Sequence, residues 1–260
     1  MKKMPSIFIS HGPPSIVLTD LPVTRFFENL SHMVQKPRAI LVISAHFEAA
    51  WPLVTTAAHM TTIHDFSGPM PLFSLQYPVN GDTELAEQVI SMFMESGINA
   101  AGERQRGLDH GAWIPLLLAY PEKDIPVIQL SVETNESPIY HYELGKIIAP
   151  LRDQGVLIMG SGGAVHNLDD VYNYDIDSPP SEYATAFDYW LELAINGGTI
   201  RHLLDYEKSA PYSALAHPYP AEHFLPLFVS LGAAGSGSRG LTIHKSFLYG
   251  SLSMAAYLWE

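Results

Sequence analysis

The sequence reads AILVISAHF from residue 39 to residue 47, and its first six positions form an unbroken run of apolar and small residues. A continuous run rich in isoleucine and valine is typical of a strand covered on both faces, as in parallel sheets. Such strands belong to α/β folds, in which helices cover both sides of the sheet. Because His46 follows this run almost directly, we expect its imidazole at the carboxyl end of a buried strand.

Apolar runs and segments of helical spacing alternate along the rest of the chain. We predict further strands over residues 6–10, 52–57, 126–131, 156–159 and 241–244. We predict helices over residues 19–35, 82–96, 110–120, 138–154, 181–195, 199–206 and 221–231. The proline-containing stretch 63–80 is expected to be a long loop, and such loops are often functional. The absence of repeats and linkers predicts one α/β domain over residues 1–260, with a mixed central sheet flanked by helices.

The composition excludes several classes of protein and site. The chain has 260 residues and no cysteine, which excludes disulfides, thiolate zinc sites and a cysteine nucleophile. Its net charge of −13 argues against binding to nucleic acid or anionic membranes, which require basic patches. The N-terminus falls short of a signal peptide, and no stretch approaches the roughly 20 apolar residues of a membrane span. We expect a cytoplasmic protein of undetermined oligomeric state.

Six of the twelve histidines lie at the ends of apolar runs, in short phrases with turn-forming residues. Neutral imidazole is the commonest metal ligand, and its pKa of about 6.5 also suits proton transfer. Residues at the carboxyl ends of strands in an α/β sheet share one crevice. The pattern therefore predicts a metal-dependent enzyme. The six phrases are FISHGPPS with His11, ISAHFEAAW with His46, TIHDFSGP with His64, GLDHGAW with His110, GSGGAVHNL with His166 and PAEHFLPL with His223.

The first two of these histidines each follow a predicted strand. If those strands are parallel neighbours, His11 and His46 can face the same space. Zn(II) in catalytic sites takes three protein ligands and keeps one position open. Non-haem Fe(II) takes two histidines and a third ligand on one face, which leaves positions for substrate and O2. The spacing of the residues is compatible with either metal.

Several common catalytic motifs are absent from the sequence. There is no HExxH, the commonest signature of zinc peptidases. The glycines of residues 160–163 match neither a phosphate-binding loop nor a dinucleotide-binding fingerprint. Ser161 stands in GSGG rather than in GxSxG, which disfavours a hydrolase nucleophile at this position.

The histidine phrases, together with YPVNGD and PVIQLSVE, occur in the order found in the class III extradiol dioxygenases. The chain resembles this LigB-like superfamily over nearly its whole length, and most closely its 4,5-DOPA extradiol dioxygenase branch. The resemblance implies a metal-dependent oxidoreductase that cleaves the ring of catechols such as DOPA and incorporates both atoms of O2. Its partners would be a small catecholic substrate and O2.

The resemblance also implies a metal site. His11 and His46 match the two N-terminal histidine ligands of the family, and His223 matches the third ligand of the DOPA branch. Protocatechuate-cleaving relatives have a glutamate as the third ligand, so the neighbouring Glu222 is an alternative. His166 matches the acid/base histidine, which also reaches the metal in some zinc-loaded relatives.

Two further histidines match the family pattern. His110 corresponds to a second active-site histidine near bound substrate and O2, and His64 to a residue of the substrate loop. Dioxygenase activity implies Fe(II) as the cofactor, while Zn(II) can also occupy a site of nitrogen and oxygen ligands. Two alternatives remain open, namely a zinc-dependent hydrolase or lyase on the same scaffold and a non-catalytic metal-binding interaction protein.

Overall fold

The computed structural model describes residues 3–260, and strands and helices alternate over most of this range. The strands are β1 (Ser6–Ser10), β2 (Ala39–Glu48), β3 (Leu53–Thr55), β4 (His59–Met60), β5 (Val79–Asn80), β6 (Ala101–Glu103), β7 (Val127–Val132), β8 (Val156–Gly162), β9 (Val165–His166), β10 (Leu241–His244), β11 (Phe247–Leu248), β12 (Leu252–Ser253) and β13 (Ala256–Trp259). The α-helices are α1 (Pro22–Met33), α2 (Met70–Ser74), α3 (Thr83–Glu95), α4 (His110–Ala119), α5 (Pro138–Ile148), α6 (Leu168–Val171), α7 (Glu182–Gly197), α8 (Ile200–Leu204), α9 (Tyr206–Ser209), α10 (Ser213–Ala216) and α11 (Leu225–Ala234). Two 3-10 helices cover Pro14–Leu18 and Ala149–Gln154.

One mixed sheet dominates the structure. Its strand order is β10-β13-β1-β8-β2-β7-β3-β6. The four central strands β1, β8, β2 and β7 are parallel, whereas β13 and β3 run antiparallel to β1 and β7. The predicted α/β fold with a mixed central sheet flanked by helices is therefore confirmed.

Helices cover both faces of this sheet. Leu41 and Ile43 of β2 belong to one hydrophobic cluster, which includes buried residues of α3, α5, α7 and α11. Ile40 and Val42 belong to a second cluster, formed with α1 and α4 on the other face. This alternation explains why residues 39–43 of β2 are all apolar, since side chains of successive residues point to opposite and equally buried faces.

Polar side chains fix the start of three helices. Asp82, Asp109 and Ser137 each accept a hydrogen bond from the backbone N–H three residues later, which is the usual N-cap arrangement. The helix predicted over residues 138–154 divides into α5 and a 3-10 segment next to Pro150, since proline has no N–H to continue the α-helical pattern. Gly155 then ends this segment with a left-handed φ of 81°.

The structure corrects two expectations and answers one open question. The strands that precede His11 and His46 are not neighbours, because β8 lies between them. Both histidines nevertheless reach the same edge, since the three strands are parallel. The stretch 63–80 contains α2 and β5 rather than a loop throughout. The predicted helix 221–231 begins only at Leu225, next to Pro226.

The carboxyl-terminal residues contain a strand that the sequence pattern did not predict. Strand β13 joins β1 and β10 in the sheet, and its four residues are all buried. Over residues 3–260, no helix is both long enough and apolar enough to cross a lipid bilayer.

Candidate metal centre

Three imidazole rings converge at the carboxyl edge of the central strands. His11 directly follows β1, His46 lies near the end of β2, and His223 lies just before α11. The Nε2 atom of His46 is 3.1 Å from Nε2 of His11 and 3.3 Å from Nε2 of His223. Residues more than 200 positions apart in the chain therefore place the same kind of nitrogen atom at one point.

Hydrogen bonds on the far side of two rings determine which nitrogen carries the proton. The Ser161 hydroxyl donates to the carbonyl of Gly111, 2.5 Å away. Its oxygen is therefore free to accept a bond from Nδ1–H of His11, at 3.0 Å. Nδ1–H of His223 likewise donates to Oε1 of Glu222 at 2.8 Å. Both rings then present an unprotonated Nε2 to the centre.

This arrangement fits a divalent cation. With Nε2 unprotonated on His11 and His223, neither of these two nitrogens can donate a hydrogen bond, and both have a lone pair that is available to a cation. Ligand nitrogens that lie about 2.1 Å from one ion are about 3.0–3.4 Å apart in octahedral or tetrahedral geometry. The Nε2 distances of 3.1 and 3.3 Å lie in that range.

The protonation of the three rings is favourable for binding a cation. Burial lowers the pKa of His11 and of His223 well below the ordinary value, and the neighbouring histidines lower it further. Burial, together with the proximity of His110, lowers the pKa of His46 to about 4. The rings are therefore neutral near pH 7, which is the form that binds metals.

His110 lies beside this group. Its ring centroid is 4.0 Å from that of His46, and potential ligand atoms of His11, His46 and His110 all lie within 4.8 Å of one another. Asp65 contacts both the backbone and the ring of His110. Oδ1 of Asp65 accepts a hydrogen bond from the backbone N–H of His110 at 3.0 Å and lies 3.1 Å from its Nδ1 atom. No sequence pattern singled out Asp65, which directly follows the proposed loop residue His64.

His166 lies on the other side of the centre. Its ring stacks on the ring of His223 at 3.5 Å with an angle of 7° between the planes. Potential ligand atoms of His166, Glu222 and His223 lie within 4.8 Å of one another. Burial, together with the neighbouring histidines, lowers the pKa of His166 to about 3, so the ring is neutral near pH 7.

A buried acid organises the start of α4. Asp109 is fully buried, and its carboxylate accepts hydrogen bonds from Ser44 at 2.6 Å, from Gln129 at 2.8 Å and from Arg106 at 3.1 Å. It also caps the helix that begins with His110. An aspartate directly before a predicted helix is a recognisable N-cap signal, but its three side-chain partners come from β2, β7 and a loop and could not be predicted.

The close approach of β8 to the chain near His223 holds the third imidazole in place. The backbone N–H of Gly163 donates to the carbonyl of His223 at 2.9 Å. A Cβ atom at Gly162 would collide with the same carbonyl. The glycines of residues 160–163 therefore serve packing around the histidines rather than phosphate binding.

His64 is the one predicted site residue that the structure places elsewhere. Its Nε2 atom bonds the carbonyl of Leu75 at 3.0 Å, and its ring packs against Phe66, Phe73 and Trp113. It does not line the cavity at the centre, whereas Phe66 does. Its position supports the loop next to the cavity.

A cavity of about 320 Å³ opens onto the histidines. His11, His46, His110, His166 and His223 all line it. Its other walls include apolar side chains from several elements, namely Phe66, Val165, Leu252 and Met254. The volume is at the lower end of the range for small-molecule sites.

Comparisons with known proteins place the chain in a family. Residues 5–258 match the family described as the catalytic LigB subunit of aromatic ring-opening dioxygenase. The chain is 43% identical to 4,5-DOPA dioxygenase extradiol of Beta vulgaris, over 97% of this chain and 95% of that protein. It is 36% identical to 4,5-DOPA dioxygenase extradiol of Escherichia coli K12, over 97% and 93% of the two chains.

A solved structure shares the fold. The crystal structure of an uncharacterized protein from Escherichia coli K12 superposes with a TM-score of 0.81 at 30% sequence identity, and it covers 99% of this chain and 100% of the other.

Proposed function

The chain belongs to the LigB family of aromatic ring-opening dioxygenases, and from this premise we propose that it opens the ring of DOPA-like catechols next to the diol, with an Fe(II) ion held by His11, His46 and His223. The observation that carries the proposal is the convergence of their Nε2 atoms at 3.1 and 3.3 Å on the wall of the cavity. We also infer that residues 1–260 form a single catalytic domain, since the family match runs from residue 5 to residue 258.

The hydrogen bond between Glu222 and His223 supports the histidine as third ligand. Oε1 of Glu222 accepts from Nδ1–H of His223 at 2.8 Å. This bond turns the opposite ring nitrogen towards His46, 3.3 Å away. A carboxylate in this position orients a ligating imidazole and increases its basicity. Glu222 thus acts through His223 rather than as a ligand in its place.

Two further histidines, His166 and His110, flank the proposed ion. When bound, Fe(II) lowers the pKa of the catechol hydroxyls and supplies the electrons that activate O2. His166 is positioned to take a proton from the catechol, because its ring stacks on that of His223 and lines the cavity. His110 is positioned by Asp65 to return a proton during ring opening. A general acid or base of this kind contributes about 10²–10⁴ in rate.

The cavity walls have a separate part in the reaction. Phe66, Leu252 and Met254 line the space next to the histidines. Apolar walls exclude water from the reacting groups and provide a surface for an aromatic ring. The cavity therefore has a polar end formed by the histidines, where the diol binds, and apolar walls around the rest of the substrate.

Oxygen uptake tests the proposal. Protein loaded anaerobically with Fe(II) is mixed with air-saturated buffer and DOPA or 4-methylcatechol, and O2 consumption and the visible absorbance of the semialdehyde product are followed. We expect one O2 per catechol with Fe(II) and none with Zn(II), which has no accessible redox change. His11→Ala is expected to abolish uptake, and His59→Ala, an exposed histidine on β4, to retain it.

Two outcomes would contradict the proposal. If no O2 is consumed with any catechol, although one Fe(II) is bound per chain, the protein does not catalyse ring cleavage. Activity that depends on Zn(II) alone would instead favour the hydrolase or lyase alternative. Metal analysis of each preparation accompanies the assay, so that a loss of activity is not confused with a loss of metal.

A further inference from the structure

The charge of the cavity wall restricts the side chain that a catechol can carry. We propose that this site selects catechols whose side chain is uncharged or bears an ammonium group over catechols whose only charge is a carboxylate. The inference rests on the proposed function and narrows its substrate class. It follows from the residues that line the cavity and an adjoining cleft.

No lysine or arginine lines the cavity within residues 3–260. Arg106 is close by, but it does not line the cavity, and one of its amino groups is already bound. This amino group donates to the carbonyl of His46 at 2.6 Å and to Asp109 at 3.1 Å, and the guanidinium carbon lies 4.4 Å from the centre of the Phe47 ring. The charge of Arg106 is therefore compensated by Asp109 and is unavailable to a substrate.

Two of the three serine hydroxyls of the wall are also engaged, and the third, that of Ser67, is exposed and uncharged. Ser10 donates to the carbonyl of Ala255 at 2.8 Å and accepts from the N–H of Ala164 at 2.9 Å. Ser253 donates to the buried carboxylate of Asp188 at 2.5 Å. A substrate carboxylate would thus lose its hydration without gaining a charged partner, which is unfavourable in a partly closed site.

Acidic groups line an adjoining cleft instead. A second cleft, of about 230 Å³, shares His166, Leu168 and His223 with the cavity and is also lined by Asp169 and Glu222. The side chain of a catechol that passes Leu168 therefore approaches two carboxylates. These attract an ammonium group and repel a carboxylate, and the chain's net charge of −13 acts in the same direction.

A pair of substrates of similar size and opposite charge provides the test. Dopamine and 3,4-dihydroxyphenylacetate differ mainly in the charge at the end of the side chain, and 4-methylcatechol is the neutral reference. With the Fe(II)-loaded protein at low salt, we expect kcat/KM to be about five- to tenfold higher for dopamine than for the acid, as for a charge about 6–8 Å from a carboxylate in a partly solvated site. Anaerobic calorimetry should give the same order of affinities.

A charge-adding variant and its matched control make the test specific. Leu168 lines both spaces and is 54% exposed, and Leu241 on the edge strand β10 is 58% exposed and lines neither. Leu168→Arg should raise kcat/KM and affinity for 3,4-dihydroxyphenylacetate about fivefold or more. Leu241→Arg, with the same change in net charge, should leave the substrate order unchanged.

The failure of this inference can be told apart from failure of the proposed function. Equal or better turnover and binding of the acid relative to dopamine, with 4-methylcatechol also cleaved, would overturn the charge selection and leave ring cleavage intact. A Leu168→Arg variant that keeps the wild-type substrate order would overturn it as well. Absence of O2 uptake with all three compounds would instead remove the dioxygenase proposal and the selection with it.

Discussion

Asp65 contacts His110, the residue proposed to return a proton during ring opening. Its Oδ1 atom accepts from the backbone N–H of His110 and lies 3.1 Å from the ring Nδ1 atom. His110 outweighs the effect of burial, which alone would raise the pKa of Asp65, and lowers this pKa to about 2. The carboxylate is therefore ionised throughout the neutral range and lies where it can orient the ring.

Asp65→Asn should reduce kcat about 10–100-fold, because partners of this kind typically contribute that much. The proposed ligands are unchanged, so bound Fe(II) should stay near one per chain. Steady-state kinetics with metal analysis measures both. Asp20→Asn, which removes an exposed pair with Arg25, is the control with normal activity. A wild-type kcat in Asp65→Asn would rule out the positioning role.

A second buried acid lies away from the metal centre. Glu133 is 1% exposed, and burial raises its pKa to about 7 despite a hydrogen bond from Ser131. The adjacent His141 accepts from the backbone N–H of Glu133 at Nε2 and bonds the carbonyl of Ser137 through Nδ1. His141 is thus a neutral ring with its proton on Nδ1, and it cannot neutralise an ionised Glu133.

Glu133→Gln should therefore change how stability depends on pH. The folded wild type holds the Glu133 proton up to about pH 7, whereas the unfolded chain releases it at about pH 4.5. Rising pH across this interval thus lowers the free energy of unfolding of the wild type relative to the variant. The difference should grow by on the order of 2–3 kcal/mol between about pH 4.5 and pH 7.5.

Urea unfolding at a series of pH values measures this difference. The neighbouring His141, whose pKa burial lowers to about 4, costs both proteins stability as the pH falls from about 6.5, so its effect cancels in the comparison. Glu143→Gln, which alters an exposed glutamate on α5, is the control. A flat difference for Glu133→Gln would show that Glu133 is ionised at little cost.

At the scale of elements, the strand pattern predicted which segments carry the histidines but not their order in the sheet. The apolar runs before His11, His46 and His166 are strong local signals, because a strand buried on both faces must be apolar throughout. The insertion of β8 between β1 and β2 depends on long-range pairing. Spacing along the chain does not encode that choice.

The supporting residues of the site were less predictable than its histidines. Asp65, Ser161 and Gln129 are ordinary polar residues in the sequence, and their importance arises only when distant elements meet. His64 illustrates the converse, since a histidine in a suggestive phrase makes a backbone hydrogen bond with Leu75 outside the cavity. Which side chains converge is decided by tertiary packing rather than by local phrases.

Strand β8 carries a prediction at this scale. Gly162→Ala would push the end of β8 against the carbonyl of His223, so we expect the third imidazole to shift and Fe(II) affinity to fall about tenfold or more, as when an outer partner is lost. Metal affinity is measured by competition with a chelator of known strength. Gly197→Ala, at the end of α7 where only Thr199 is near, should bind Fe(II) normally.

An unchanged Fe(II) affinity in Gly162→Ala would show that the backbone near His223 adapts to a methyl group. Circular dichroism accompanies the measurement, because a variant that no longer folds would lose affinity for a different reason. A folded variant with weakened binding is the outcome expected from the close backbone contact.

At the scale of the whole molecule, buried polar contacts connect segments that are far apart in the chain. The guanidinium of Arg152 is fully buried and donates to carbonyls of Met4, Ala233, Ala234 and Trp259. It thereby joins the start of the sheet, the end of α11 and the last strand. A cation bound by His11, His46 and His223 would make a similar connection at the carboxyl ends of the central strands.

The stability of the fold should therefore depend on the metal. His11 follows β1, His46 lies in β2 and His223 lies in the segment before α11. An ion that binds only the folded chain stabilises it by about 2.7 kcal/mol when the free ion concentration is about 100 times the dissociation constant. For a protein of this size, that corresponds to a rise of about 5–10 °C in Tm. Anaerobic calorimetry with Fe(II), and with EDTA added afterwards, measures the rise and its reversal. His46→Ala should lose this increase in Tm, and His59→Ala should keep it. A wild-type Tm that does not change when Fe(II) is added would mean that the three imidazoles do not share an ion.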